Sequence, residues 1–172
     1  MDLAAAVRTV PDFPKPGIQF KDITPLLADA DLYAETVRRL ADPWKGQGIT
    51  HVLAMESRGF WFGGALSMQL EAGFVPVRKP GKLPLPGPSE TYALEYGEDS
   101  LELPSSVLPS GARVLVHDDV IATGGTAGAA CRLVAHVGAE VVGVSFVMEL
   151  AFLEGRSKLP KGIRVESLMV EG

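Results

Sequence analysis

Cysteine is almost absent from this sequence: Cys131 is the only one among 172 residues. That excludes an intramolecular disulfide and every zinc pattern built on paired cysteines. Cys131 reads instead as a small buried apolar side chain on a helix. Basic charge is also in short supply, with 16 Lys and Arg against 21 Asp and Glu and a formal net charge of −5. A general attraction to nucleic acid or to an acidic lipid surface would work against that field, so any polyanionic ligand must find a local basic cluster. Long apolar runs are missing too. The richest, residues 139 to 153, is interrupted by Glu140 and Glu149 and falls short of a membrane span. Residues 1 to 10 have neither the basic start nor the apolar stretch of a secretory signal. The expectation is a cytoplasmic protein that binds neither nucleic acid nor membrane.

What is present suits one domain. The composition is 47% hydrophobic and 22% charged, close to that of soluble globular chains, and the length allows a substantial core. Apolar runs rich in β-branched residues alternate with segments of helical period, which predicts an α/β fold with a mostly parallel twisted sheet flanked by helices. Residues 113 to 117 read as a buried strand. Thr126, Ala129, Ala130, Leu133, Val134 and Val137 then recur at helical spacing, Gly138 stops the helix, and residues 140 to 148 give the next strand. Residues 49 to 55, 59 to 70 and 74 to 78 form an earlier strand, helix and strand, and Asp31 is expected to cap a first helix reaching Trp44. Residues 79 to 89 hold four prolines and two glycines and read as a mobile loop. Residues 92 to 96 and 100 to 103 flank Gly97 as a hairpin at its base.

The most informative stretch runs from Val114 through His117, Asp118, Asp119, Val120 and Ile121 to Ala122, Thr123, Gly124, Gly125 and Thr126. It is a strand, an acidic pair and a loop of small residues opening a helix. Such a loop lets successive backbone N–H groups face one phosphate, the helix N-terminus adds its dipole, and Thr123 and Thr126 offer hydroxyl donors. A tight strand-to-helix turn could have the same glycines. It would not require two carboxylates at the C-terminal end of a strand, where open α/β sheets bind ligands. Neither a Gly-Lys-Ser/Thr sequence nor a G-x-G-x-x-G pattern is present, so the phosphate chemistry is of another kind.

Residues 114 to 126 resemble the signature of type I phosphoribosyltransferases, and from about residue 13 to 159 the chain is similar to adenine phosphoribosyltransferases. The resemblance implies that the loop of Ala122, Thr123, Gly124, Gly125 and Thr126 seats a ribose 5-phosphate and that Asp118 and Asp119 face the ribose hydroxyls. Phe13 to Ile23 looks like the family's base-binding segment, part of a small N-terminal hood over residues 1 to 25. There Phe20 would stack on adenine, and backbone groups of Gln19 and Lys21 would read its polar edge. Family members commonly carry Arg at the position of Lys21. Glu56-Ser57-Arg58-Gly59-Phe60 resembles the pyrophosphate-binding turn, with a strained peptide between Glu56 and Ser57. Arg78, Lys79 and Lys82 match the family's pyrophosphate-binding segment and supply the local basic cluster that the acidic chain requires.

Ser89 to Gly97 completes the match and places Glu95 near the base. The implied reaction is attack of adenine N9 on C1 of phosphoribosyl pyrophosphate, giving AMP and pyrophosphate with Mg2+ as cofactor. The metal would be held mainly by substrate and water rather than by protein ligands. Glu95 would accept a proton from the adenine imidazole ring, whereas Asp118 and Asp119 would either orient the ribose or act through metal-bound water. A homodimer is implied, and residues 79 to 92 are expected to form a flexible lid. Two other readings stay open: transfer to another purine such as xanthine, and a regulator that binds phosphoribosyl pyrophosphate without catalysis. The latter usually carries a DNA-binding domain, for which this chain lacks the length and the basic charge.

Overall fold

The computed structural model describes residues 1–94 and 97–172. Its centre is a parallel sheet of five strands: β3 (His51–Met55), β4 (Gly73–Val77), β7 (Arg113–Ile121), β8 (Glu140–Leu150) and β9 (Arg164–Glu171), in the order β4-β3-β7-β8-β9. Helices α3 (Gly59–Gln69) and α4 (Gly125–His136) connect β3 to β4 and β7 to β8. Helix α2 (Ala30–Ala41) precedes the sheet, after a single short helix α1 (Thr24–Ala28). Two antiparallel ribbons pair separately from the sheet, β1 (Arg8–Pro11) with β2 (Gln19–Asp22) and β5 (Pro86–Ala93) with β6 (Glu98–Pro104), the second joined to the end of β4 by a bridge between Arg78 and Glu102.

The strands are apolar almost without interruption because helices cover both faces. Alternation along each strand divides the core in two. Leu53, Met55, Val114, Val116, Val144 and Phe146 pack with Ala129, Ala130, Leu133 and Val134 of α4 and with Tyr92, Leu101 and Leu103 of the second ribbon. Val52, Leu115 and Val147 face the other way, onto Val37 and Leu40 of α2, Phe62 and Leu66 of α3, and Trp44. Cys131 is buried within the first of these clusters, and burial pushes its thiol up to about 12.

The expected strand, helix and strand of the second half are present, with Gly138 (φ +76°) ending the helical segment. Other boundaries move for identifiable reasons. The cap of α2 is Asp29, whose carboxylate accepts from the amides of Asp31 and Leu32 at 3.0 and 2.9 Å, rather than Asp31. The helix stops at Ala41 and a 3-10 turn carries the chain to Trp44, because Pro43 cannot continue an α-helical ladder. Strand β7 runs on to Ile121, so Asp118 and Asp119 lie within the strand rather than beyond it.

The proline-rich loop is shorter than its composition suggests, since β5 begins at Pro86. Pro86 and Pro88 are tolerated there because the ribbon has only two strands and its register shifts between Pro86 and Ser89. Irregular chain is left only at residues 79 to 85. Strand β9 lies outside the elements expected from the sequence. Arg164, Glu166 and Glu171 break its apolar pattern, as an edge position permits.

One contact across the sheet is tight enough to test. A Cβ on Gly143 would come within 2.2 Å of Cη2 of Trp44, which is fully buried against β8. Gly143→Ala is therefore expected to lower stability by about 1–3 kcal/mol through overpacking, read as a lower urea midpoint with an unchanged slope. A variant as stable as the parent would contradict this packing.

Candidate active site

A cleft of about 560 Å3 opens where the C-terminal ends of β3 and β7 meet the β5–β6 ribbon. This is where a doubly covered parallel sheet can present polar groups without burying them in its core. Three segments expected from the sequence converge on it: Glu56, Ser57 and Arg58 after β3, Lys79 and Lys82 after β4, and Asp118, Asp119 and Thr126 around the end of β7. Beside it, Asp118 and residues Ala122, Thr123, Gly124, Gly125 and Thr126 line a smaller recess of about 80 Å3. Thr126 and Asp118 border both spaces.

The recess depends on glycine. Gly124 has φ +79°, and a Cβ there would lie 2.0 Å from the carbonyl oxygen of Gly155. Its own carbonyl accepts from the Gly128 amide at 2.9 Å, which starts α4 directly behind the loop. Gly125 sits against the ribbon, and a Cβ on it would meet Cδ2 of Tyr92 at 3.1 Å. Gly59 lets α3 begin close to the acidic pair, 2.9 Å from Oδ1 of Asp118 at the position of a Cβ.

The cations of the cleft are held by carboxylates. The side chain of Glu56 is buried, and its two oxygens take Nε of Arg78 at 2.9 Å, the Lys79 amide at 2.8 Å and Nζ of Lys82 at 3.2 Å. Burial alone would raise the Glu56 carboxyl, but these donors outweigh it and hold it below its ordinary value. Lys79 Nζ lies 2.7 Å from Oδ2 of Asp99, and this pairing lowers Asp99 and raises Lys79. Arg58 Nε is 2.9 Å from Oδ2 of Asp119, an ion pair whose N–H is not aimed at the oxygen.

Asp119 is buried and Asp118 partly so, with the Asp119 amide donating to Oδ1 of Asp118 at 2.9 Å. Burial raises both carboxyls above the ordinary Asp range. The charge of Asp119 raises Asp118 further, while Arg58 pulls Asp119 back.

Phe20 lies edge-on to Phe13 at 5.0 Å between ring centroids, with the Arg58 guanidinium 5.3 Å from the Phe20 centroid. The first ribbon is thus tied to the mouth of the cleft. Lys21 is directed elsewhere: Nζ is 2.8 Å from Glu171 and 3.0 Å from Thr9 Oγ1. Gln19 is exposed. Arg78 is among the expected site residues, but its side chain is clamped to Glu56 and is not part of the cleft wall. The peptide between Glu56 and Ser57 is cis. Glu95 lies outside the described residues.

Tyr92, Leu94, Asp99 and Leu101 line the cleft and were not singled out from the sequence. Only the ribbon register, which sets Tyr92 opposite Asp99, brings the carboxylate to Lys79. No helix among the described residues is long and apolar enough to cross a membrane, and no cluster of three or more His, Cys, Asp or Glu forms among them.

The raised carboxyl pair has a consequence for stability. Between the ordinary Asp range and the pair's raised values, the folded protein retains protons that the unfolded chain has released. The pair's contribution to stability therefore falls as pH rises through that window. Asp118→Asn is expected to raise Tm by a few degrees at neutral pH and to lose that advantage once pH drops below the ordinary Asp range. Calorimetry across pH checks the sign; a variant melting below the parent at neutral pH would refute it.

Comparison with known proteins identifies the family. The family described as "Phosphoribosyl transferase domain" matches residues 19–161. The chain is 55% identical to adenine phosphoribosyltransferase of Synechococcus sp. (strain JA-2-3B'a(2-13)), over 99% of this chain and 98% of that protein. It is 51% identical to the same enzyme of Myxococcus xanthus, over 98% and 91%. The crystal structure of adenine phosphoribosyltransferase from Rhodothermus marinus superposes with a TM-score of 0.93 at 53% identity, covering 98% of this chain and 96% of that one. The Saccharomyces cerevisiae enzyme, solved with an imino-altritol bisphosphate and adenine, gives 0.91 at 41% identity, with 96% of each chain covered. The chain belongs to the phosphoribosyltransferase family and, within it, to the adenine phosphoribosyltransferases.

Proposed function

We propose that the cleft transfers the phosphoribosyl group of phosphoribosyl pyrophosphate to adenine, giving AMP and pyrophosphate. The observation that carries this reading is the meeting of a phosphate-sized loop recess, an acidic pair and three cationic side chains around one cleft, beside an aromatic ring on the first ribbon. In the reaction the bond from ribose C1 to the pyrophosphate oxygen breaks, the bond from adenine N9 to C1 forms, and the N9 proton departs. Positive charge builds on the sugar and negative charge on the leaving group.

Each side of that charge separation has a matching group. Asp118 and Asp119 set negative potential beside the sugar, and Arg58, Lys79 and Lys82 face the departing pyrophosphate. Loop amides and Thr126 hold the 5-phosphate. Phe20 supplies a face for adenine, and Glu95 is the group assigned to take the N9 proton. The side chain of Glu56 acts through the cations it holds, because both its oxygens are engaged within the protein.

The carboxylates of Asp118 and Asp119 in the cleft suit a hard cation held mainly by substrate oxygens and water, with a carboxylate acting directly or through metal-bound water, rather than by a protein cage. Bound with substrate, Mg2+ would neutralise pyrophosphate oxygens and orient them. A lid over residues 79 to 92, irregular from 79 to 85 and paired with β6 from Pro86, would exclude water from the sugar centre on closure. A homodimer in the cytoplasm completes the reading, supported by exposed Trp61, Met68 and Phe74 along α3 and β4.

Incubation with labelled adenine, phosphoribosyl pyrophosphate and Mg2+ should yield AMP, with xanthine and hypoxanthine used far less well. No AMP with any divalent metal would overturn the reading, and faster transfer to another purine would reassign the base. Phe20→Ala is expected to cost about 1–3 kcal/mol in adenine binding, the worth of a base-stacking face, with phosphoribosyl pyrophosphate affinity nearly unchanged. Lys21→Ala should be milder, since its ammonium is committed to Glu171 and Thr9. Titration calorimetry of both ligands distinguishes the two, and a larger adenine defect in Lys21→Ala would refute backbone reading at residue 21.

A further inference from the structure

We propose that Glu149, acting through Arg156, is a positioning residue that holds the 5-phosphate loop in its binding geometry. The proposal rests on the reading of residues 122 to 126 as that loop. Glu149 lies near the end of β8, in register with Ile121 on β7 and Val170 on β9, and is buried. Both of its oxygens are committed inside the protein. Arg156 Nε donates to Oε1 at 2.7 Å, Arg156 Nη2 to Oε2 at 2.6 Å, and Ser167 Oγ to Oε2 at 2.8 Å. A forked guanidinium on a buried carboxylate is directional as well as strong. The Arg156 bonds, followed by that of Ser167, keep the Glu149 carboxyl below its ordinary range despite burial.

The clamp ends on the loop itself. Arg156 belongs to the 3-10 turn Gly155–Lys158, entered through Glu154 at φ 52°. The backbone of that turn lies directly against the loop. A Cβ on Gly155 would be 2.3 Å from the Ala122 carbonyl oxygen and 3.1 Å from the Gly124 amide nitrogen. From the other side, a Cβ on Gly124 would be 2.0 Å from the Gly155 carbonyl oxygen, and one on Gly128 would be 2.7 Å from that of Lys158. Three glycines thus allow backbone to touch backbone, with no side chain between them to absorb movement.

Shifting Arg156 shifts Gly155, and shifting Gly155 re-aims the amides that face the phosphate. A polar site depends on such support, because displacement by a fraction of an ångström misaligns every donor together. Glu149 and Ser167 come from two strands of the rigid sheet, so the loop is referenced to the sheet and not only to its own helix.

The test titrates the full-length protein with ribose 5-phosphate and, separately, with pyrophosphate. E149Q and R156A should weaken ribose 5-phosphate about tenfold, the scale of a small misplacement, and leave pyrophosphate affinity unchanged. R156K, which keeps the charge but loses the fork, should recover part of the loss. In turnover, KM for phosphoribosyl pyrophosphate should rise while kcat changes little, because the 5-phosphate is held equally in ground and transition states. S167A removes a single hydrogen bond and should show the same pattern more weakly, which keeps the test available should E149Q not fold. Equal losses for both ligands, or unchanged ribose 5-phosphate affinity in folded E149Q, would overturn the proposal. A parent protein that binds pyrophosphate but not ribose 5-phosphate would overturn the loop reading and the proposal with it.

Discussion

Coverage of the central sheet on both faces is the constraint on which the rest of this structure depends. With Leu53, Val116 and Val144 buried on one side and Val52, Leu115 and Val147 on the other, polar side chains such as His117 and Ser145 are few along the strands. Polar groups concentrate where the strands end and the backbone must leave the sheet. Glu56 follows the last residue of β3, the acidic pair lies near the end of β7, and Glu149 lies near the end of β8. The cleft and the loop clamp are consequences of one layered packing.

Because those ends are partly dry, each charge needs a counter-charge. Glu56 holds Arg78 and Lys82, Asp99 holds Lys79, and Arg58 leans on Asp119. Carboxylates thus keep the cations clustered when no anion is present, which lets an acidic protein maintain a site for a polyanion. The pair Asp118 and Asp119 departs from this balance: one guanidinium serves two carboxyls, and both are raised. That local cost falls on the wall of the cleft.

Much of this was legible in the chain. Strand, loop, helix and strand across residues 113 to 148 follow from apolar runs and a 3.6-residue period, which are local properties. The motifs at Glu56 to Phe60, at Arg78 to Lys82 and at Asp118 to Thr126 are continuous in sequence, so a family resemblance can be drawn from them before any fold is known. Proline content marked residues 79 to 89 as irregular, but it could not show that a two-stranded ribbon accommodates Pro86 and Pro88. The edge strand β9 escaped notice because half-exposed edge positions carry charges that hide the pattern.

By itself, then, the sequence determined the α/β layering, the small-residue loop after β7 and the identity of the charged residues around it, since each depends on neighbours a few positions apart. Tertiary structure decided which charges pair and which backbones touch. Asp99 meets Lys79 only through the ribbon register, Lys21 turns to Glu171 at the far end of the chain, and Gly155 reaches Gly124 only when β8 returns beside β7. These contacts join residues tens of positions apart. Their energies depend on distances of a few ångströms, which no local pattern of residue types encodes.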